Sequence, residues 1–490
     1  MKNNLAPVNR IPPDVFSTIP NYWADEDGAD EHLITATHVC RGWRNLFISR
    51  PSLWTRLDCT HVEKTRVYVE RSKSSPLDVC LWEDDDNPYF NEAFLLTIPH
   101  FSRIRNLTLF GSSDDLVSII NQHLHWHAPT LEELKIRLRD FPCPIEATIF
   151  EGNLSSLREL RLSGVITNLP SGNLPNLTIF FFENVPSNKI SMTQLLDFFE
   201  YAPLLNDITL RKASPTTSNA PCGRVVTLPH LKFLQISAES ANSALLKHLS
   251  IPSGAVLILH FYFCGEGSPI PVCLPKPFDN LKNVLPITSI NLLCDSSLSL
   301  RLNGPNGGVH IRGEWTGVTA SLPNFHQQGL RSLDHLPISS TERLAIEGCN
   351  ILPLRKVERS ITYQILFLMK TLRTLTLTNC GNASFIFVLD PSKNPSGTLV
   401  CPALEELILY IRRGEQLCLK ELLAMTKERA SEGAMLSTIK IISTEAFAST
   451  MEVLKLRDHV TWVEYKLDYV VPAWDDGPDG VPDFELDSDW

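Results

Sequence analysis

Three histidines alternate along one short segment of the chain, at His123, His125 and His127. If that segment were a strand, the three imidazoles would lie on one face and could bind a metal ion. The surrounding residues follow a helical period up to Pro129, however, and a helix distributes alternating residues over different faces. The sequence therefore favours a solvated helix end over a metal site.

Paired carboxylates are the second candidates for chemistry, at Glu132 and Glu133 and at Glu405 and Glu406. Both pairs lie beside predicted strand positions, which favours solvated charges over general acid–base catalysis. No hydrolase elbow, zinc-protease or kinase motif occurs in the sequence, and no glycine cluster precedes the Lys-Ser/Thr of a phosphate-binding loop. We therefore expect no catalytic residue, no cofactor and no metal.

The composition narrows the class of protein further. The 490 residues are 43% hydrophobic and carry a formal net charge of −11, which argues against disorder and against nucleic acid as the main partner. The longest apolar run, Ala255 to Cys264, is far shorter than the roughly 20 residues that span a bilayer. The 12 cysteines form no Cys-x-x-Cys pair, which indicates reduced thiols. We expect a cytoplasmic or nuclear protein without a membrane partner.

A short pattern of apolar residues returns many times after residue 100: apolar, two residues, apolar, one residue, apolar. Leucine, with 70 residues, fills most of its positions. It occurs at Ile104/Leu107/Leu109, Leu131/Leu134/Ile136, Leu157/Leu160/Leu162, Leu177/Phe180/Phe182, Leu205/Ile208/Leu210, Leu231/Leu234/Ile236, Ile287/Ile290/Leu292, Leu344/Ile346, Leu372/Leu375/Leu377, Leu404/Leu407/Leu409 and Leu436/Ile439/Ile441. The last two positions of each set share one face of a strand, and the first turns into the same core from the preceding corner.

The segments between these strands predict the rest of the fold. Six of them have a helical pattern: Asp114–His127, Ser191–Tyr201, Ser240–Leu249, Lys356–Met369, Leu417–Ser431 and Thr450–Asp458. The steps between the first six sets are 27, 26, 20, 28 and 26 residues and later ones are near 32, a period that resembles that of leucine-rich repeats. The prediction is an α/β solenoid over 101–470, with parallel strands on the concave face, helices outside and an irregular middle around 264–320.

Outward positions of the predicted strands offer a binding surface. Early strands present the basic residues Lys135, Arg137, Arg161 and Arg211, and a late strand presents Ile408 and Tyr410. We expect the first set to bind an acidic segment of a partner protein and the second set an apolar one.

The amino-terminal residues predict a small helical module over 9–54. Pro12 and Pro13 suit the first turn of a short helix. Leu33, Ala36, Cys40, Trp43 and Phe47 follow at helical spacing. So small a module buries little surface, and its apolar stripes serve either as its own core or as a docking face.

The ordered motifs of this module resemble an F-box, as found in the expanded F-box families of mushroom-forming fungi. They are Ile11-Pro12-x-Asp14-Val15-Phe16, Leu33-Ile34, Val39-Cys40-Arg41-x-Trp43-Arg44 and Pro51-Ser52-Leu53-Trp54, and the resemblance covers about the first eighty residues. It departs from the usual pattern in Ile11, where leucine is common, and in the acidic insertion Trp23–Glu31.

The resemblance implies a function. An F-box docks on a Skp-type adaptor, which joins it to a cullin, while the remaining chain selects the protein to be ubiquitinated. The adaptor-binding residues would be Ile11, Pro12, Val15, Phe16, Ile19, Leu33, Ile34, Val39 and Trp43. The alternative is a leucine-rich-repeat scaffold without any link to ubiquitin. Residues 55–100 would be a connector, and the acidic residues 474–490 a disordered tail.

Overall fold

The computed structural model describes a large part of the chain. The described residues are 29–83, 90–112, 114–124, 128–139, 143–144, 154–170, 172, 174–186, 189–216, 223–238, 243–264, 274–275, 278–294, 297–316, 329–349, 360–412, 417–444 and 450–467. They form a mixed α/β fold divided into two compact units, Met1–Cys222 and Gly223–Trp490. Each unit contains a mostly parallel sheet with helices between its strands.

The first unit opens with helices. They are α1 (Ala29–Val39), α2 (Arg41–Ile48), a 3-10 turn (Pro51–Trp54) and α3 (Val62–Ser72). Trp54 joins them because its buried indole Nε1 donates a hydrogen bond of 3.0 Å to the Phe47 carbonyl and its ring meets Tyr68 edge-on at 5.0 Å. The sequence predicted helical residues through Phe47, and two helices in close succession confirm that prediction.

Seven strands build the main sheet of the first unit, and all its described pairings are parallel. In spatial order they are β1 (Arg56–Leu57), β2 (Leu77–Trp82), β3 (Ile104–Gly111), β4 (Glu133–Leu138), β6 (Glu159–Ser163), β8 (Ile179–Glu183) and β9 (Asp207–Arg211). A separate parallel pair is formed by β5 (Cys143–Pro144) and β7 (Val165–Ile166). Residues 55–100, expected as a connector, thus supply the first two strands.

In chain order, helices lie between some of these strands. They are α4 (Phe90–Leu95), α5 (Asp114–His123) and α6 (Met192–Tyr201), with a 3-10 segment at Ile98–Arg103. Ser191 caps α6 by accepting the Gln194 backbone N–H at 3.1 Å, while the Gln194 side chain accepts the Ser191 backbone N–H. The predicted helices from Asp114 and Ser191 are both confirmed.

The sheet of the second unit contains one antiparallel element. Its spatial order is β11 (Phe233–Ala238), β13 (Val256–Cys264), β16 (Gly308–Thr316), β15 (Ser297–Asn303), β14 (Ser289–Cys294), β17 (Arg343–Glu347), β18 (Thr374–Thr378), β19 (Glu406–Ile411), β20 (Thr438–Ser443) and β21 (Trp462–Leu467). Only β15 runs antiparallel to both of its neighbours among these described strands. The expected irregular middle therefore contains an inserted strand between β14 and β16.

The second unit also contains short elements and helices outside this sheet. They are the paired strands β10 (Val226–Thr227) and β12 (Leu249–Ser250), the helices α7 (Ser243–Leu246), α8 (Ile361–Leu368), α9 (Asn382–Leu389), α10 (Leu419–Ser431) and α11 (Thr450–Lys455), and 3-10 turns at Lys282–Val284, Ser332–His335, Ile338–Ser340, Pro391–Lys393, Pro395–Gly397 and Leu456–Asp458. The four other predicted helices overlap α7, α8, α10 and α11, although α7 and α8 are shorter than expected.

The cores of both units consist of the repeated apolar positions. Every residue of the pattern, from Ile104 to Ile441, is at most 4% exposed. The first position is buried because a turn precedes it: Leu131, Leu157, Leu177, Leu205, Leu231 and Leu404 each donate a backbone hydrogen bond of 3.0 to 3.3 Å to the carbonyl three residues earlier.

Proline occupies the second position of five of these turns, at Pro129, Pro175, Pro203, Pro229 and Pro402. Its fixed φ suits that position, and its missing N–H is not needed there. The prolines therefore favour the chain reversal that brings each first leucine into the core.

Candidate functional site

Helix α1 buries one face and exposes another. Leu33 and Ala36 are buried, whereas Ile34 is 38% and Val39 56% exposed. The ring of Trp43, on α2, lies half-buried against Phe47, edge-on at 6.2 Å. The other predicted adaptor-binding residues lie outside the described residues: Ile11, Pro12, Val15, Phe16 and Ile19.

The two exposed apolar residues of α1 do not share one narrow stripe. At 100° per residue, five positions place Ile34 and Val39 about 140° apart around the helix axis. They therefore flank the exposed face, and a partner that contacts both must cover that whole face. Polar residues Thr35 and His38 lie between them.

The polar face of the first unit's sheet is arranged in three rows that cross the strands. Strand register and side-chain alternation define each row. The acidic row contains Asp78, Asn106, Glu133, Glu159, Ile179 and Asp207; the middle row contains Cys80, Thr108, Lys135, Arg161, Phe181 and Thr209; the outer row contains Trp82, Phe110, Arg137, Ser163, Glu183 and Arg211.

Two of the four predicted bases are paired with the acidic row. Lys135 Nζ lies 3.1 Å from the Glu133 carboxylate and 3.3 Å from that of Glu159, and Arg161 Nε donates to Glu159. Burial raises the pKa of Asp207 in the same row, and Arg161 opposes that shift. The charges of Lys135 and Arg161 are therefore largely balanced within the sheet.

The other bases lie over aromatic rings. The guanidinium carbon of Arg139 lies 4.2 Å, and that of Arg137 5.5 Å, from the centroid of Phe110. Trp82 packs on the same ring at 4.6 Å and remains 44% exposed. These distances fit cation–π contacts, which hold a guanidinium in place without neutralising it.

A second aromatic ring supports the fourth base. The guanidinium carbon of Arg211 lies 5.5 Å from the centroid of Phe181, and its Nε is buried without a hydrogen-bond partner among the described residues. We name Trp82, Phe110, Arg137, Arg139, Phe181 and Arg211 the arginine–aromatic cluster. The sequence predicted Arg137 and Arg211 as outward-facing bases. Phe181 is on the same face because it alternates with the buried Phe180 and Phe182.

Three members of this cluster were missed from the sequence. Trp82 belongs to the segment taken for a connector, and Arg139 follows β4. Phe110 had a usable signal, because it alternates with the core residue Leu109 and must face the opposite side of β3.

In the second unit, Ile408 and Tyr410 lie on the polar face of β19, as the alternation predicts. Their register partners are Thr376 and Thr378 on one side and Lys440 and Ile442 on the other. Lys440 Nζ donates a hydrogen bond of 2.7 Å to Glu406, which raises the pKa of Lys440. Ile408 and Tyr410 are half-buried, and all their register partners except Ile442 are polar.

A basic group in the second unit was not expected from the sequence. Register places His260 beside Arg312 and His310 beside Arg301, and the Ser299 hydroxyl lies 3.0 Å from His310 Nε2. Burial lowers the pKa of His310 to about 4, and Arg301, Arg312 and His260 add to that shift. The inserted strand β15 brings these residues together because it pairs antiparallel with β16.

Of the three alternating histidines, only His123 lies among the described residues. His123 ends helix α5, as expected, and His125 and His127 lie outside the described residues. Among the described residues, no group of three or more His, Cys, Asp or Glu is placed to hold a metal ion. Glu133 and Glu406 are each paired with a lysine.

Among the described helices, none has the length and apolar character needed to cross a membrane. No protein-family model matches the chain, and no curated protein is significantly similar to it.

Proposed function

We propose that this chain is the substrate-recognition subunit of a Skp–cullin–F-box type ubiquitin ligase. The amino-terminal helices bind a Skp-type adaptor, and the strand arrays bind the target protein. The chain catalyses no reaction in this proposal. It raises the effective concentration of the target near the ubiquitin-conjugating enzyme.

One observation carries the proposal: α1 exposes apolar residues at two positions of the F-box-like motif, Ile34 and Val39. A helix that only capped a core would have its larger apolar residues inside, as Leu33 is. Exposed apolar residues bordering a helix face are suited to burial by a partner.

The repeated architecture supports the second half of the proposal. Parallel strands, buried first leucines and helices between strands are the features of a leucine-rich-repeat-like solenoid. Such an array presents the polar face of its strands as a broad surface for one partner protein. The charged and aromatic rows on that face suit protein recognition.

The test is a pull-down of the full-length chain with a purified Skp-type adaptor. Ile34→Glu with Val39→Glu places charge at both edges of the α1 face and should weaken adaptor binding by at least about tenfold. Leu95→Glu with Leu204→Glu is the matched control, because those residues are similarly exposed apolar side chains elsewhere in the first unit. This control variant should bind the adaptor as the wild type does.

Trp43 is a poorer choice for this test. Because it packs against the buried Phe47, a charge there would disturb the helices themselves. If the wild-type chain binds no adaptor, the ubiquitin proposal is wrong and a binding scaffold remains. Equal loss of binding in both double variants would show that α1 is not the docking face.

A further inference from the structure

We infer that the arginine–aromatic cluster of the first unit binds an acidic peptide segment whose carboxylates form two groups separated by a short uncharged spacer. That the segment belongs to a protein marked for ubiquitination rests on the proposed function. The binding surface itself does not depend on that function.

The ion pairs of the sheet indicate which of its bases can bind a further anion. The acidic row supplies carboxylates to Lys135 and Arg161, which removes those two bases as sites for a further anion. Arg139 is exposed and forms no ion pair with a described residue. A partner's carboxylates are therefore attracted to Arg139 and repelled by the acidic row.

The aromatic rings orient the arginine side chains for binding carboxylates. All N–H groups of a guanidinium lie in its plane, so a ring that covers one face leaves the donating edge available. Stacking also restricts the side chain before binding, which reduces the entropy lost when a carboxylate is bound. Phe110 supports Arg139 in this way, and Phe181 supports Arg211.

The register fixes the spacing of the two acidic groups. Arg137 and Arg211 are three strand steps apart, with Ser163 and Glu183 between them. At about 4.8 Å a step the separation is about 14 Å, which an extended peptide covers in about four residues. Glu183, which accepts a hydrogen bond of 3.0 Å from Ser163, repels a carboxylate at the middle of that span.

The same arrangement disfavours a nucleic acid. A continuous chain of phosphates would cross Glu183 and run beside the acidic row, and the chain as a whole carries a net charge of −11. A peptide can instead place uncharged residues opposite Glu183. An exposed indole, Trp82, adjoins the first basic group and can cover an apolar side chain of the peptide.

Fluorescence anisotropy with the purified full-length chain tests the inference. The probe is fluorescein-labelled Glu-Glu-Gly-Ser-Gly-Glu-Glu, compared with its all-glutamine counterpart and with a labelled oligothymidine. Arg137→Gln with Arg139→Gln should raise the Kd of the glutamate probe by at least about tenfold. Arg66→Gln with Lys189→Gln removes the same charge from exposed positions outside the cluster and should change the Kd by less than about twofold.

A second variant distinguishes a loss of probe binding from a loss of the folded structure. Arg139→Glu changes one exposed side chain, and it should abolish probe binding while the thermal unfolding midpoint and adaptor binding stay those of the wild type. Unchanged probe binding in Arg139→Glu, no binding of the glutamate probe by the wild type, or tighter binding of oligothymidine would overturn the inference. Probe binding without any adaptor binding would uphold this surface and contradict only the proposed function.

Discussion

The arginines of this protein differ most in what surrounds their guanidinium groups. Arg161 is paired with Glu159, and Arg139 lies over Phe110. Arg429 is fully buried and donates to the carbonyls of Val400 and Cys401 at 2.8 and 2.9 Å. Formal charge read from the sequence therefore overestimates how many arginines can bind an acidic partner.

Among single residues, His310 gives the clearest dependence on pH. Its pKa is lowered to about 4, first by burial and then by Arg301, Arg312 and His260. An unfolded chain binds this proton near pH 6.5, so acidification from there to about pH 4 favours the unfolded state by about 2 to 3 kcal/mol. Above that window His310 is neutral in both states, and its contribution is constant.

Chemical denaturation at pH 7 and pH 4.5 checks this prediction. His310→Gln keeps a partner for Ser299 but cannot be protonated, so it should lose less stability on acidification than the wild type. His230→Gln, at an exposed position of the same unit, should lose as much as the wild type. If all three proteins respond equally to acid, His310 is not held neutral in the folded state.

At the scale of elements, a turn precedes several strands, and side chains of neighbouring helices contact it. The turn Cys401–Leu404 precedes β19, and Arg429 of α10 reaches back to it. Burial lowers the pKa of Arg429, and no carboxylate among the described residues compensates for it. Its two hydrogen bonds to carbonyls therefore fix α10 against the turn.

Arg429→Ala should lower the free energy of unfolding by about 3 kcal/mol, because the Val400 carbonyl loses its donor and a cavity replaces the side chain. Arg429→Lys should fall between this variant and the wild type, since one ammonium cannot replace a guanidinium fork. Lys427→Ala, at an exposed position of the same helix, should change stability by less than about 0.5 kcal/mol. Equal stabilities of the alanine variants would refute the structural role of Arg429.

The strands and their faces were largely predictable from the sequence. Leu134 and Ile136, for example, are two residues apart and buried, and Leu131 is buried through the turn that Pro129 favours. These features depend on neighbours within one repeat. Local periodicity therefore indicates the strands, their buried faces and the turns that precede them.

Features that depend on distant pairings were not predictable in this way. The position of β15 between β14 and β16 follows from the whole sheet, so the sequence predicted no grouping of His310 with Arg301. The ion pair of Lys135 with Glu159 likewise joins two strands. The ion pair of Lys135 with Glu133 could nevertheless be predicted from the sequence, because both residues are on one face of one strand.

At the scale of the whole molecule, two separate surfaces of the first unit are proposed to bind partners. One is the exposed face of α1, bordered by Ile34 and Val39, and the other is the arginine–aromatic cluster on the sheet. The first is proposed for the adaptor and the second for an acidic segment of the target. Changes on one surface should leave binding at the other intact.

The most direct measurement is size-exclusion chromatography with light scattering on the full-length chain, a Skp-type adaptor and a cullin. We predict that the chain elutes with the cullin only when the adaptor is present, in a complex with the mass of one copy of each. Elution of the chain apart from the adaptor and the cullin in the complete mixture would contradict the central claim.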